Sequence, residues 1–182
     1  MLRGAVAAAA LGVRGSGASA ADDNALRAHV RAAQIPAYFT FKPLPEFTFA
    51  DVRTGKSLSI PRDFAGRVLL LNMWATWCPP CIKEMGSLEE LHLAFKGEGV
   101  VVLGVNILDR SSPRKIAEWL DARRLTFPVV RGDYEKLDMM PRRFIPQTFV
   151  VDRSSRLIAS YQGEFNWAHD GIRSLVQYMV KS

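Results

Sequence analysis

Apolar and polar positions alternate along most of this chain in two distinct rhythms. Val68–Trp74 (VLLLNMW) is an apolar run, which predicts a strand covered on both faces. Val100–Ile107 predicts a second. Between them, residues 80–95 place Ile82, Met85, Leu88, Leu91, Leu93 and Phe95 at helical spacing. Ser112 followed by Pro113 reads as a cap and first helical residue, with Ile116, Trp119 and Leu120 as the buried stripe of a helix running to Arg124. Phe127–Arg131 predicts a short strand, and Tyr134–Met140 a short helix at most. Thr148–Asp152 and Leu157–Gln162 read as antiparallel neighbours, and a final helix over 168–180 buries Ile172, Leu175, Val176 and Met179.

The N-terminal part is less regular. Asp22–Gln34 carries a weak helical pattern with Leu26, Val30 and Ala33 on one face, and the proline-punctuated Pro36–Pro45 is expected to wrap the domain in extended form. Glu46–Ala50 and Ser57–Ile60 flank a turn and predict a hairpin. The element order predicts an α/β sandwich: a central mixed sheet flanked by helices. No repeat or linker divides residues 46–182, which predicts one domain behind an extension at 21–45.

Composition narrows the function classes. Of 182 residues, 48% are apolar and 23% charged, an ordinary globular balance. The net charge of +6 is scattered without a basic block, which argues against nucleic acid. Residues 1–20 differ from the rest. They hold Arg3 and Arg14, no acid, a small-apolar run at 5–13 and Ala18-Ser19-Ala20, and they predict a cleaved signal peptide. The run is too short to cross a bilayer core, which takes about 20 residues. Arg14 keeps an organelle transit peptide open as one alternative, and a disordered tail is the other. The expected location is the periplasm or another extracytoplasmic space, with an uncleaved N-terminal anchor as a further alternative.

The candidate chemistry lies in Met73–Cys81, MWATWCPPC, which contains the only two cysteines. As a staple the pair is weak, because closing so short a loop restricts the unfolded chain by only about 2 kcal/mol. A structural zinc site needs about four ligands. His92, 11 residues beyond Cys81 on one helix, lies about 16 Å away along the axis. Ile82 occupies the position where haem attachment requires histidine. A redox dithiol remains. Cys78 is expected just before the helix, exposed at its positive end, with Pro80 as a first helical residue and Cys81 turned inward.

Here the chain resembles the thioredoxin-fold superfamily, and most closely its TlpA/ResA-like extracytoplasmic thiol–disulfide oxidoreductases. The resemblance spans roughly 43–180 and rests on PEFTF (Pro45–Phe49), LLLNMWATWCPPCIKEM (Leu69–Met85), FPVV (Phe127–Val130) and IPQTFVVD (Ile145–Asp152). It implies a thioredoxin-like sandwich with an N-terminal β-hairpin extension and a central βα insertion. Cys78 is the implied nucleophile and Cys81 the resolving thiol. Trp77 and Pro79 flank the partner surface, and Pro146, implied to be cis, follows an Ile145 backbone able to pair with an extended substrate. Asn72 stands where cytosolic thioredoxins carry a buried aspartate, Gly86 where proline is usual, and Phe144 where glycine is common. Glu84, one turn after Cys81, is a candidate proton relay; the alternative is a solvated acid at the helix N-terminus. Phe144, Arg142 and Arg143 either reshape the partner surface or are packing and solvated charge.

The expected activity is reduction of disulfides in exported proteins, with apocytochrome c as an implied substrate. An upstream thiol reductant, membrane-bound or soluble, would supply electrons, and no flavin or nicotinamide motif is present. Two alternatives stay open: an oxidase or isomerase using the same pair, and a copper(I)-binding module using both thiolates.

Overall fold

The computed structural model describes residues 20–137 and 144–182. The expected signal segment, apart from Ala20, and Arg142 and Arg143 lie outside the described residues. Helices α1 (Ala20–Ala32), α2 (Pro79–Ala94), α3 (Pro113–Asp121) and α4 (Asp170–Lys181) accompany strands β1 (Ala37–Pro43), β2 (Phe47–Asp51), β3 (Ser57–Ile60), β4 (Val68–Trp74), β5 (Val100–Asn106), β6 (Val129–Arg131), β7 (Gln147–Val151) and β8 (Arg156–Gln162). Among the described residues these strands form one sheet in the order β1-β8-β7-β4-β5-β6-β2-β3. β4 is central, parallel to β5 and antiparallel to β7, so the sheet is mixed as expected. The α3–β6 piece between β5 and β7 extends the sheet, since β6 pairs parallel to β5.

Every residue of β4 and β5 is buried, which accounts for their near-continuous apolar sequences. Alternate side chains of β4 divide the interior. Val68, Leu70 and Trp74 join one cluster with Leu26, Met85, Leu88, Ile116, Leu120, Ile172 and Leu175 from the four helices. Leu69, Leu71 and Met73 join a second with Phe47, Phe49, Ile60 and Phe64. Asn72 shares the helix-side parity of Leu70 and Trp74 and is fully buried.

Several local expectations hold. Ser112 caps α3 by accepting from the Lys115 N–H, and the four apolar residues expected along α4 are all buried. Others need correction. The segment 36–45 is extended as expected, but β1 within it joins the sheet, pairing antiparallel with β8 as an edge strand. Its register slips between Ala37 and Lys42, a partnership that local sequence does not encode. α3 ends at Asp121 rather than Arg124, where Ala122 closes it and Arg124 takes a left-handed φ of 57°. Leu93, expected inside, is 54% exposed, because the apolar spacing outruns the buried face of α2 near its end. Tyr134–Lys136 forms one 3-10 turn, and the rest of the short helix expected to Met140 lies outside the described residues except Leu137. Ile145–Pro146 is cis, as the resemblance implied, and so is Ile60–Pro61, which nothing in the sequence marked.

Candidate active site

The site forms where β4 runs out and α2 begins. Cys78 is the N-cap of α2, in extended conformation at φ −94° and ψ 105°, and Pro79 and Pro80 occupy the first helical positions. Proline suits those positions because their N–H groups have no helical partner. The helix thus starts one residue earlier than expected, at Pro79 instead of Pro80. Cys78 and Cys81 are joined as a disulfide, and the Cys78 Sγ accepts a hydrogen bond from the Cys81 N–H at 3.3 Å. A sulfur at this point faces the unpaired donors and positive end of the helix, which favour negative charge on it. Cys78 is nevertheless only 3% exposed, against the exposed sulfur that the sequence predicted, while Cys81 is fully buried as expected. Bonding to an interior partner draws the outer sulfur against the first helical turn.

Beside the disulfide, the Trp77 ring is 58% exposed yet not loose: its indole N–H donates to the Leu108 carbonyl at 2.8 Å. Ile145 is half-buried and Pro146 buried, and Phe144 is 54% exposed. The Pro146 carbonyl accepts from the Gly163 N–H, tying the cis bond to the end of β8.

A grip on this junction escaped the sequence reading. Asp109, 7% exposed, lies on the loop after β5. Its Oδ2 accepts from the Thr76 N–H at 2.8 Å, the Thr76 hydroxyl at 2.7 Å and Asn106 Nδ2 at 3.2 Å, and its Oδ1 accepts from the Ser111 N–H. Arg131 ties the same loop down, donating to Asn106 Oδ1 at 2.7 Å and to the Asp109 carbonyl. Burial alone would raise the Asp109 pKa, but the donors from Thr76, Ser111 and Asn106 outweigh it and bring the group down to about 2. An acid in the run Leu108-Asp109-Arg110 reads as surface charge, so only its spatial neighbours reveal it.

Glu84 faces inward. It is 2% exposed, on the α2 face that also buries Cys81, one turn away. Its Oε1 accepts from Asn72 Nδ2 at 2.7 Å; its Oε2 accepts from the Phe165 N–H and the Trp167 indole N–H, both at 3.1 Å. Burial is the larger influence and pushes its pKa up to about 7, against the lowering effect of the Trp167, Asn72 and Phe165 donors. Trp167, fully buried, thus supplies a donor to this carboxyl. Ser87 fastens the loop that carries it, accepting from the Trp167 N–H at 3.0 Å. Among the described residues, no group of three or more His, Cys, Asp or Glu gathers in a way that could hold a metal ion.

A mixed sheet with a C-x-x-C disulfide at its central strand-to-helix junction is the architecture of the thioredoxin fold. Residues 41–160 match the AhpC/TSA family, and the chain belongs to it. It is 32% identical over 118 residues to the thiol-disulfide oxidoreductase ResA of Geobacillus kaustophilus, covering 62% of this chain and 63% of that protein. It is 31% identical over 127 residues to ResA of Bacillus thuringiensis subsp. konkukian, covering 68% and 69%. The chain thus spans under two thirds of the Geobacillus relative's length. In fold it matches a secreted thiol-disulfide isomerase from Corynebacterium glutamicum, with a TM-score of 0.70, 24% identity, and coverage of 81% of this chain and 91% of that one. It also matches a putative thiol:disulfide interchange protein DsbE from Chlorobium tepidum, with a TM-score of 0.66 and 19% identity over 77% and 96% of the two chains.

Proposed function

We propose that this chain is an extracytoplasmic protein disulfide reductase in which Cys78 is the nucleophile, Cys81 the resolving thiol and Glu84 the proton carrier. The supporting observation is the Cys78–Cys81 bond at the N-cap of α2, with a buried carboxyl one turn along the same helix face. In the reduced protein the Cys78 thiolate attacks one sulfur of a partner disulfide. A mixed disulfide forms, and the partner's other sulfur leaves as a thiolate that takes a proton from solvent. Cys81 gives its proton to the Glu84 carboxylate and attacks the Cys78 Sγ, releasing the partner's second sulfur and leaving the Cys78–Cys81 disulfide. One sulfur of an upstream dithiol then attacks Cys78, and the departing Cys81 thiolate recovers its proton from Glu84. The donor's second sulfur attacks its bound first sulfur, forming the donor's disulfide and releasing Cys78 as the thiolate. The partner lies in extended form against Trp77, Pro79 and the Ile145–Pro146 backbone.

Activity outside the cytoplasm follows from residues 1–20, read as a signal peptide. No helix among the described residues is long and apolar enough to cross a membrane. Proteins whose paired cysteines must be kept reduced are the proposed substrate class, with apocytochrome c awaiting haem as the first candidate. Cys78→Ser is expected to abolish disulfide reduction, and Cys81→Ser to accumulate a mixed disulfide on Cys78 whose partner can be identified. Wild-type turnover by the first variant would end the proposal. Equilibration with glutathione buffers tests the direction, and a pair fully reduced at mild poise would exclude a reductant.

A further inference from the structure

Deepening the Glu84 reading, and resting on it, a second inference starts from one atom without a partner. Asn72 is fully buried on β4. Its Nδ2 donates to Glu84 Oε1 at 2.7 Å and to the Thr148 hydroxyl oxygen at 2.9 Å, whereas its Oδ1 is buried with no hydrogen-bond partner. Leaving such an oxygen unsatisfied carries a real cost, so its retention calls for a reason.

The groups around Glu84 supply one. Both donors to Oε2, the Phe165 backbone N–H and the Trp167 indole N–H, can only donate. A protonated carboxyl must therefore carry its hydrogen on Oε1 and find an acceptor there. The contact on that side is Asn72. Rotating its terminal amide by half a turn exchanges Oδ1 for Nδ2 at the same two contacts. Oδ1 then accepts from Glu84 Oε1–H and from the Thr148 hydroxyl, which either donates or accepts. Nδ2 becomes the unpaired atom in place of Oδ1. Each state thus keeps both contacts and leaves one amide atom over.

We propose that Asn72 is the positioning residue through which Glu84 holds or releases its proton, the amide reversing so that the same contacts serve the carboxylate and the acid. The charged group facing this carboxyl is Glu164, on the loop between β8 and α4, whose negative charge also favours the acid. Lys83 of α2 pairs with Glu164 at 3.4 Å. Asn72 from β4 and Thr148 from β7 are neutral, and the Cys78–Cys81 disulfide does not titrate.

The test is NMR on the full oxidised protein, with the Asn72 side-chain NH2 resonances assigned by their loss in Asn72→Leu. Both resonances are expected to shift with the same pH midpoint as the Glu84 carboxyl carbon. In Glu84→Gln, whose amide donates as the acid would, they should stay at their low-pH positions throughout. In Asn72→Leu the Glu84 midpoint should stay within about half a pH unit, since a partner of both states is lost; loss of a one-way donor would raise it by about one. Asn72 resonances that stay fixed while Glu84 titrates, or a raised midpoint in Asn72→Leu, would overturn the proposal. Failure of the underlying relay reading looks different: Asn72 would follow Glu84, yet Glu84→Gln would leave the pH profile of thiol alkylation unchanged.

Discussion

Glu84 and Asp109 are both buried carboxyls near one disulfide, and their surroundings push them in opposite directions. Asp109 receives donors on both oxygens, from Thr76 and Asn106 on one and Ser111 on the other, and its pKa is brought down to about 2. Glu84 is buried more deeply, and its three donors do not offset the desolvation, so it titrates at about 7. Opposite signs of pH-dependent stability follow. For Glu84 the folded-state pKa exceeds its ordinary 4.5, so the stability it contributes is present below that value and lost as pH rises through about 7. The loss is on the order of 3 kcal/mol. For Asp109 the contribution is present above 3.8 and lost as pH falls through about 2. Urea melts of the oxidised protein between pH 4.5 and 8 should show stability declining in the wild type and nearly level in Glu84→Gln. A wild-type curve that is already flat would place the Glu84 midpoint elsewhere.

At the scale of elements, the clearest signals were those that depend on the chain's immediate neighbours. β4 occupies the span read from its apolar run, Ser112 caps α3, and the Cys78–Cys81 spacing sets a cap and first turn on α2. Periodicity reports that a residue is buried but not what it meets. Hence β1, whose partner β8 lies more than a hundred residues away, was read as a wrapping segment. The same gap hid Asp109, Asn106, Arg131 and the indole of Trp167, which act only through residues distant in the sequence. Their arrangement has an element-level consequence. The loop after β5 grips the junction between β4 and α2 twice, through Asp109 on Thr76 and the Leu108 carbonyl on Trp77, and so fixes the exposed indole beside Cys78. Asp109→Ala should therefore raise KM for a protein disulfide by about 5-fold, the equivalent of roughly 1 kcal/mol of lost positioning. Reduction of a small soluble disulfide should change far less. Iodide quenching offers an independent readout, because Trp74 and Trp167 are fully buried, Trp119 is partly buried and common to every variant, and Trp77 is the most exposed indole. Quenching should rise in Asp109→Ala and remain near wild type in Thr76→Ser, which keeps the hydroxyl. Equal losses on both substrates would mean that the grip supports the fold rather than the partner surface.

Across the whole molecule, the two ends of β4 carry different duties. Its C-terminal end leads to Cys78, while its first residues lie beside the β7–β8 turn, where the Arg153 side chain donates to the Gly66 carbonyl. A seven-residue strand separates these ends by about 23 Å. The far end anchors α1, which packs its Leu26 and Val30 into the core against α4. Arg156 is the junction there. Its guanidinium donates to Asp152 at 2.7 Å and to Asp23 of α1 at 3.0 Å, and it lies 5.4 Å from the centre of the Phe41 ring. With the Arg156 side chain 23% exposed and that of Asp152 10%, this pairing is shielded from water more than a surface bridge. Arg156→Ala leaves both carboxylates without their cation and should cost about 1–3 kcal/mol. The loss should register as a lower Tm and as faster exchange of the α1 amides. Arg156→Lys should recover only part of it, since an ammonium lacks the planar fork that reaches both acids. Neither change should alter the alkylation rate or pH profile of Cys78, because none of the contacts at this junction involves α2 or the loop after β5. A shifted thiol profile in Arg156→Ala would instead mean that the α1 anchor and the disulfide are energetically coupled through β4.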